Sequence, residues 1–400
     1  MNKRIVITGL GAVTSIGVGW QDFWQAILSG KSGISEIDAF DTKDHVTHYG
    51  GQAKNFDPKA FIDPKKIKLM SRASQLGVSA TKLALTDAKL HTPDPARTAL
   101  IMGTTGGEVQ EIEEMDAVWV KHGHEKVDKW SILQYPVANI TANIAREFKL
   151  KGKTLIFTTA CAAGNYAIGY GYDLITLGKA DTVICGGADA FSYLEFTGFN
   201  QVGAVAPQVC RPFDKNRQGM IPAEGSGVLI LETLESALKR GVTIYAEILG
   251  YGLSCDASHM TNPDSEGVAY CMADALAKAH LKPEQVDYIS AHGTGTIHND
   301  RAESAAINKV FNQRKVPVSS IKSMLGHTMG AASALEAIAC ALTVKLDTIA
   351  PTMNFQTPDP ECDVDCVPNK PRKQTVNVVL NNGFAFGGNN CCVAIKKYSE

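Results

Sequence analysis

Thr154-Leu155-Ile156-Phe157-Thr158-Thr159-Ala160-Cys161-Ala162-Ala163-Gly164-Asn165 decides how the rest of the chain is read. Thr154 to Phe157 has the pattern of a short apolar strand, and Tyr166 to Leu177 mixes small and apolar residues as a helix does. Cys161 therefore falls at a strand-to-helix junction. Unpaired N–H groups at a helix start favour negative charge, so a thiol there is expected to have a lowered pKa and more thiolate. Ala162, Ala163 and Gly164 leave room for a substrate, which makes Cys161 a candidate nucleophile. Taken alone, the run favours the plainer alternative, a buried cysteine in tight helix packing.

Outward from this junction, strand and helix patterns alternate. Residues 4–11 read as a strand into Gly9-Leu10-Gly11, which lacks the third glycine of a dinucleotide site. Further strands are expected at Ala99 to Gly103, Thr182 to Asp189, Glu224 to Glu232, Glu247 to Ser254, Val286 to Ser290, Val376 to Leu380 and Cys391 to Lys396. Helices are expected at Ser74 to Ala88, Glu108 to Asp116, Ile132 to Phe148, Gly267 to His280, Asp300 to Phe311 and Ala331 to Leu346. Asn381 to Asn390 reads as a glycine-rich turn. Nearly all-apolar strands alternating with helices imply an α/β fold with helices on both faces of a sheet. Strands and helices recur in similar order, so the chain is expected to be duplicated, 1–243 carrying the cysteine and 244–400 two histidines.

The chain has 400 residues, 44% hydrophobic and 20% charged, with net charge -2. That balance offers no general basic surface for nucleic acid or an anionic membrane. The N-terminal apolar run is too short for a signal peptide, and no stretch of 18 apolar residues suggests a membrane span. Ten scattered cysteines without a secretory signal read as reduced thiols of a cytoplasmic protein. Only Cys362 and Cys366 approach ligand spacing, and no second pair accompanies them, so no metal is expected.

Four further clusters carry possible chemistry. Ala291-His292-Gly293-Thr294-Gly295-Thr296 places an imidazole after a strand among glycines. Lys322-Ser323-Met324-Leu325-Gly326-His327 pairs a lysine with a second histidine. Asn382 to Asn389 offers free N–H groups beside Phe384 and Phe386, and Arg211 to Gly219 offers charge pairs in a loop. Each could be structural alone. Together, one cysteine and two histidines at strand ends suggest thioester chemistry: a thiol accepts an acyl group, and imidazoles donate to an oxygen gaining charge. A cysteine protease remains an alternative.

These motifs, taken together, resemble the β-ketoacyl-acyl carrier protein synthases, of the elongating synthase II kind. The likeness runs from Ile5-Val6-Ile7-Thr8-Gly9 to Phe386-Gly387-Gly388-Asn389. It implies the thiolase fold, a duplicated five-layer α-β-α-β-α architecture. It implies that Cys161 holds an acyl chain while malonyl-acyl carrier protein loses carbon dioxide and condenses with it. His292 and His327 would stabilise the enolate, and the N–H groups of Cys161 and Phe386 would form an oxyanion hole. Lys322 would orient the histidines with Glu336 as its partner, Phe386 would gate the site, and Thr294 and Thr296 would hold the pantetheine arm. The resemblance further implies a dimer and no cofactor beyond the phosphopantetheine of the carrier protein. It places carrier docking at the basic cluster Lys65, Lys66, Lys68 and Arg72, which otherwise reads as a solvated helix start. Gly293 to Arg301 and Ser320 to His327 look closer to the catalytic ketosynthase of a type II polyketide synthase, which pairs with a chain-length factor. Gly295 stands where the fatty-acid form has serine, and Ala385 replaces a glycine, which should stiffen the gate. Housekeeping fatty-acid elongation is the alternative. A coenzyme A-dependent thiolase, for which Cys391 and Cys392 are poorly placed, and a non-catalytic scaffold are the remaining ones.

Overall fold

The computed structural model describes residues 3–399. In chain order the first half supplies β1 (Ile5–Thr14), α1 (Arg72–Asp87), β2 (Thr98–Gly103), α2 (Asn139–Phe148), β3 (Thr154–Phe157), α3 (Ala163–Thr176), β4 (Thr182–Asp189) and β5 (Gly225–Thr233). The second supplies β6 (Ala246–Cys255), α4 (Ser265–Lys278), β7 (Tyr288–Ser290), α5 (Ile297–Val310), β8 (Pro317–Ser319), α6 (Ala332–Leu346), β9 (Val378–Phe384) and β10 (Asn389–Lys396).

The strands lie in the order β3-β2-β4-β5-β1, then β6-β10-β9-β7-β8, with β1 meeting β6 through Ile5–Ile7. From that junction each half runs first, fifth, fourth, second, third. In both, the fifth strand is antiparallel to its neighbours and the outer three are parallel. Parallel neighbours need crossovers, and helices supply them. α1 and α2 cover one outer face, α4 and α5 the other, and α3 and α6 lie between the two halves. This is the duplicated thiolase-type α/β fold.

The central layer explains the small residues. α6 is buried along Ala332–Val344, with both halves against it, and alanines let backbones approach. The helical stretch Met329–Leu346 is long and apolar enough on average to cross a membrane, although it carries Glu336 and Lys345. Of its residues, 89% are buried, in this central layer.

Gly9 and Gly11 lie inside β1, which runs on to Thr14. A Cβ on Gly11 would stand 2.0 Å from the Ala80 carbonyl oxygen, so these glycines let α1 settle on the strand. The helix expected from Ile132 to Phe148 is broken at Pro136, into Ser131–Gln134 and α2. The turn expected from Asn381 to Asn390 shrinks to residues 385–388, because Asn381 and Asn382 sit in β9. Their side-chain N–H2 groups donate there to Asn165, Ser333 and Glu303, which offsets part of the cost of polar groups inside a sheet.

Candidate active site

Three loops meet at the ends of parallel strands. After β3 the chain turns through Ala160, whose φ of 47° is left-handed, and enters a short helical turn at Cys161 before α3. After β7, His292 follows the buried strand end, and after β8 a one-turn helix Lys322–Leu325 leads to His327. The ligand-type atoms of Cys161, His292 and His327 lie within 4.8 Å of one another, and all three residues are buried. The two imidazole centroids are 5.5 Å apart at 80°. This spacing would also suit a soft cation; three groups converging on one thioester need the same closeness.

Hydrogen bonds orient both rings. The Met329 N–H donates to Nδ1 of His327 at 3.1 Å, which leaves the proton on Nε2. Nζ of Lys322 lies 3.5 Å from Nδ1 of His292 and donates to its carbonyl oxygen at 2.6 Å. Burial holds both imidazoles well below their ordinary pKa, and the Lys322 charge adds to it. Two neutral rings therefore have Nε2–H free to donate to a substrate oxygen. Lys322 is itself paired with Glu336 on α6, both fully buried. Burial pushes the Glu336 carboxyl up to about 7 against the pull of Lys322.

Burial pushes the Cys161 thiol up to about 12. Lys322 and the N–H groups of Cys161 and Phe386 pull it down without overcoming that cost, while Asp189 raises it further. The expectation of a thiolate favoured by the helix start is thus corrected: desolvation outweighs it. The two N–H groups nevertheless converge on the sulfur, where an oxyanion hole for a Cys161 thioester belongs.

Phe386 packs against Phe199, with centroids 6.1 Å apart, and leaves only about 20 Å3 open beside Cys161, His292 and His327. Phe386 and Thr296 also line an outer cavity of about 130 Å3 with Ala204, Gly219 and Thr261. The ring and the threonine stand between the inner and outer spaces. Oγ1 of Thr294 and Thr296 are 2.9 Å apart. Arg217, from the loop of charge pairs, donates to the Thr296 carbonyl at 3.3 Å and pairs with Asp359, bracing this wall from behind. Gly295 has φ +77°, a conformation that a serine would adopt only under strain.

Other expected residues lie elsewhere. Lys65, Lys66 and Lys68 are exposed around the short helix Pro64–Ile67, and Lys66 reaches Glu147 at 2.7 Å. Arg72 departs from the cluster: it pairs with buried Glu224 at 2.7 Å and lies over the Phe56 ring, so its charge is spent inside the fold. Cys391 and Cys392 are buried inside β10.

Several residues escaped the sequence reading. Glu303 accepts hydrogen bonds from the N–H groups of His292 and Gly293 at 2.9 and 2.8 Å and from Asn382. The helix pattern from Asp300 to Phe311 carries no signal that singles it out. Oγ of Ser333 donates to the Cys161 carbonyl, and Asn165 ties α3 to β9 and β10 through Asn381 and Cys391.

Residues 2–237 match the β-ketoacyl synthase N-terminal domain, and residues 245–356 match the C-terminal domain. The chain belongs to the β-ketoacyl synthase family. This β-ketoacyl synthase is a condensing enzyme, forming carbon–carbon bonds by a Claisen-type reaction centred on a cysteine. It is 40% identical to a 3-oxoacyl-[acyl-carrier-protein] synthase 2 of Synechocystis sp., over 99% of this chain and 98% of that one. Among solved structures it is similar to the ishigamide ketosynthase/chain length factor, at 42% identity and TM-score 0.97 over the whole of both chains. It is also similar to a type II polyketide ketosynthase solved with its acyl-carrier protein, at 31% identity and TM-score 0.92, again over both full chains.

Proposed function

We propose that this synthase elongates an acyl chain held on Cys161 with malonyl-acyl carrier protein, as a 3-oxoacyl-acyl carrier protein synthase II. The observation that carries the chemistry is the meeting of one cysteine with two neutral, donor-oriented histidines. As the Cys161 sulfur attacks the acyl carbonyl and the carbonyl–pantetheine sulfur bond breaks, the proton given up by the Cys161 thiol is taken by the leaving pantetheine thiolate. Malonyl then loses carbon dioxide, and the electron pair left on carbon is held as an enolate by Nε2–H of His292 and His327. That carbon attacks the Cys161 thioester, whose oxygen faces the N–H groups of Cys161 and Phe386, and the cysteine leaves. Lys322 and Glu336 keep the rings oriented. Thr294 and Thr296 take the pantetheine arm at the mouth, and Phe386 moves aside to admit the chain.

The pathway rests on relatives. Full-length curated relatives at 36% to 40% identity are 3-oxoacyl-acyl carrier protein synthases, which supports fatty-acid elongation over the polyketide reading favoured by the motifs. The second reading, the catalytic ketosynthase of a type II polyketide system, is supported by the 42% identical ishigamide structure and by Gly295. On either reading the partners are an acyl carrier protein, docked at Lys65, Lys66 and Lys68 rather than Arg72, and a second subunit. We read the chain as two repeats, 1–243 with the nucleophile and 244–400 with the histidines, as the repeated strand order supports.

Intact-protein mass spectrometry after co-expression with carrier proteins tests the assignment. Saturated acyl groups on Cys161 of a homodimer are expected. A heterodimer with a chain-length factor carrying polyketone adducts would transfer the enzyme to the second reading. In half-reactions, Cys161→Ala is expected to abolish condensation, and His292→Ala or His327→Ala to impair decarboxylation more than acyl loading. Equal loss of loading would remove the histidines from their roles.

A further inference from the structure

Asp189, the last residue of β4, is 1% exposed and has no cationic partner among the described residues. It accepts from Oγ1 of Thr104 at 2.5 Å and from the N–H groups of Thr105 at 2.8 Å and Gly106 at 3.0 Å. A fourth donor, the Gly330 N–H, comes from the other half of the molecule at 2.6 Å. The preceding N–H, that of Met329, donates to Nδ1 of His327. Two successive amides thus join Asp189 to a ring of the active site.

This segment needs holding. Met329 adopts φ 50°, a left-handed conformation costly for a residue with a side chain. Gly330 lies so close to the β2 end that a Cβ would stand 2.5 Å from the Thr104 carbonyl carbon. All four partners of Asp189 approach as donors, and only an acceptor on both oxygens satisfies them. Burial pushes the Asp189 carboxyl up to about 6, while these donors favour its ionised form and pull it down.

We propose that Asp189 is a positioning residue for the condensation, fixing through the amides of Met329 and Gly330 the tautomer and place from which His327 donates to substrate. The proposal rests on the condensation reading of the Cys161 site. The carboxylate draws in the Gly330 N–H, which locks the turn and aims the Met329 N–H at Nδ1. Without that aim His327 loses its bias toward Nε2–H, and its donor drifts from the enolate oxygen. Asp189 touches no reacting atom in this arrangement.

The full-length Asp189→Asn variant tests it, because asparagine keeps the shape but offers an N–H2 group to N–H donors. Expected is full stoichiometric acylation of Cys161 by an acyl-carrier thioester, with carbon dioxide release from malonyl-carrier thioester slowed about 10- to 100-fold in kcat and KM little changed. The 15N resonances of His327 should move from an Nε2–H tautomer toward a mixture. A purely structural role would lower acylation and decarboxylation in proportion, and that result, or an unshifted tautomer in the folded variant, overturns the proposal. Should Asp189→Asn fail to fold, Thr104→Val, which removes one donor, should show the same split at about 3- to 10-fold; no split overturns it. Failure of the unmodified protein to acylate Cys161 would instead sink the condensation reading, while the His327 tautomer still reports on Asp189.

Discussion

Cys161 combines opposing demands. A thioester-forming sulfur must be reachable, yet water must be kept from the enolate and the acyl intermediate. The fold resolves this with burial, and the consequence is a thiol raised to about 12. Alkylation of Cys161 by iodoacetamide should therefore still be accelerating at pH 9; a rate that levels off between pH 6 and 8 would mean a thiolate is present. The histidines pay the opposite penalty. Because burial and Lys322 hold both rings well below 6.5, the unfolded chain binds protons that the folded rings refuse. Stability is lost as pH falls below 6.5, by up to about 1.4 kcal/mol per pH unit for each ring. The urea midpoint should fall more steeply from pH 6.5 to 5 in the unmodified protein than in His327→Gln, and equal slopes would show that His327 is not held neutral.

At the level of secondary structure, α3 and α6 are the pair that place chemistry. Glu336 on α6 meets Lys322 with no solvent to share the charge. Lys322→Met leaves that carboxylate buried and unpaired, and should cost about 3–5 kcal/mol in urea unfolding. Lys322→Met combined with Glu336→Leu should recover much of that loss without recovering decarboxylation, separating stability from orientation of His292. Gly164 at the start of α3 lies against Ala334 of α6, where a Cβ would come within 2.7 Å of a backbone nitrogen. Gly164→Val should force the helices apart and lower stability by about 1–3 kcal/mol, read as a lower melting temperature together with slower acylation of Cys161. Unchanged acylation would show that the Cys161 turn does not depend on this contact.

Across the whole molecule, one edge of the sheet order ends on β3 without a further strand. Leu155 on β3 is 40% exposed, and Trp119, Trp130 and Leu133 are exposed on the segments preceding it in the chain. An apolar strand edge left open in this way invites a partner strand. The second subunit of the proposed dimer is expected to cover it. Leu155→Lys should shift the species seen by sedimentation velocity from dimer toward monomer, while an undisturbed dimer would place the interface elsewhere.

The layered α/β plan was legible because its signals are local. Short apolar strands, glycines at β1 and the alanine run of α6 announce burial through periodicity and size. The cysteine and both histidines were legible as motifs, since each sits in its own strand-end loop with small neighbours. Other features exist only between segments distant in the chain. Nothing local marks Glu303, yet the strand order turns it toward the N–H groups of His292 and Gly293. Arg72 read as part of a basic surface until Glu224 met it across 152 positions. The protonation of Cys161 follows from desolvation by surrounding side chains, which no local pattern encodes, and it reversed what the helix start alone implied. The sequence by itself thus determined which residues form strands, helices and reactive loops, because propensity and hydrophobic period act over a few neighbours. The tertiary structure alone decided which charges are paired, which rings are neutral and where Asp189 points, because dielectric and hydrogen-bond partners are properties of space rather than of order along the chain.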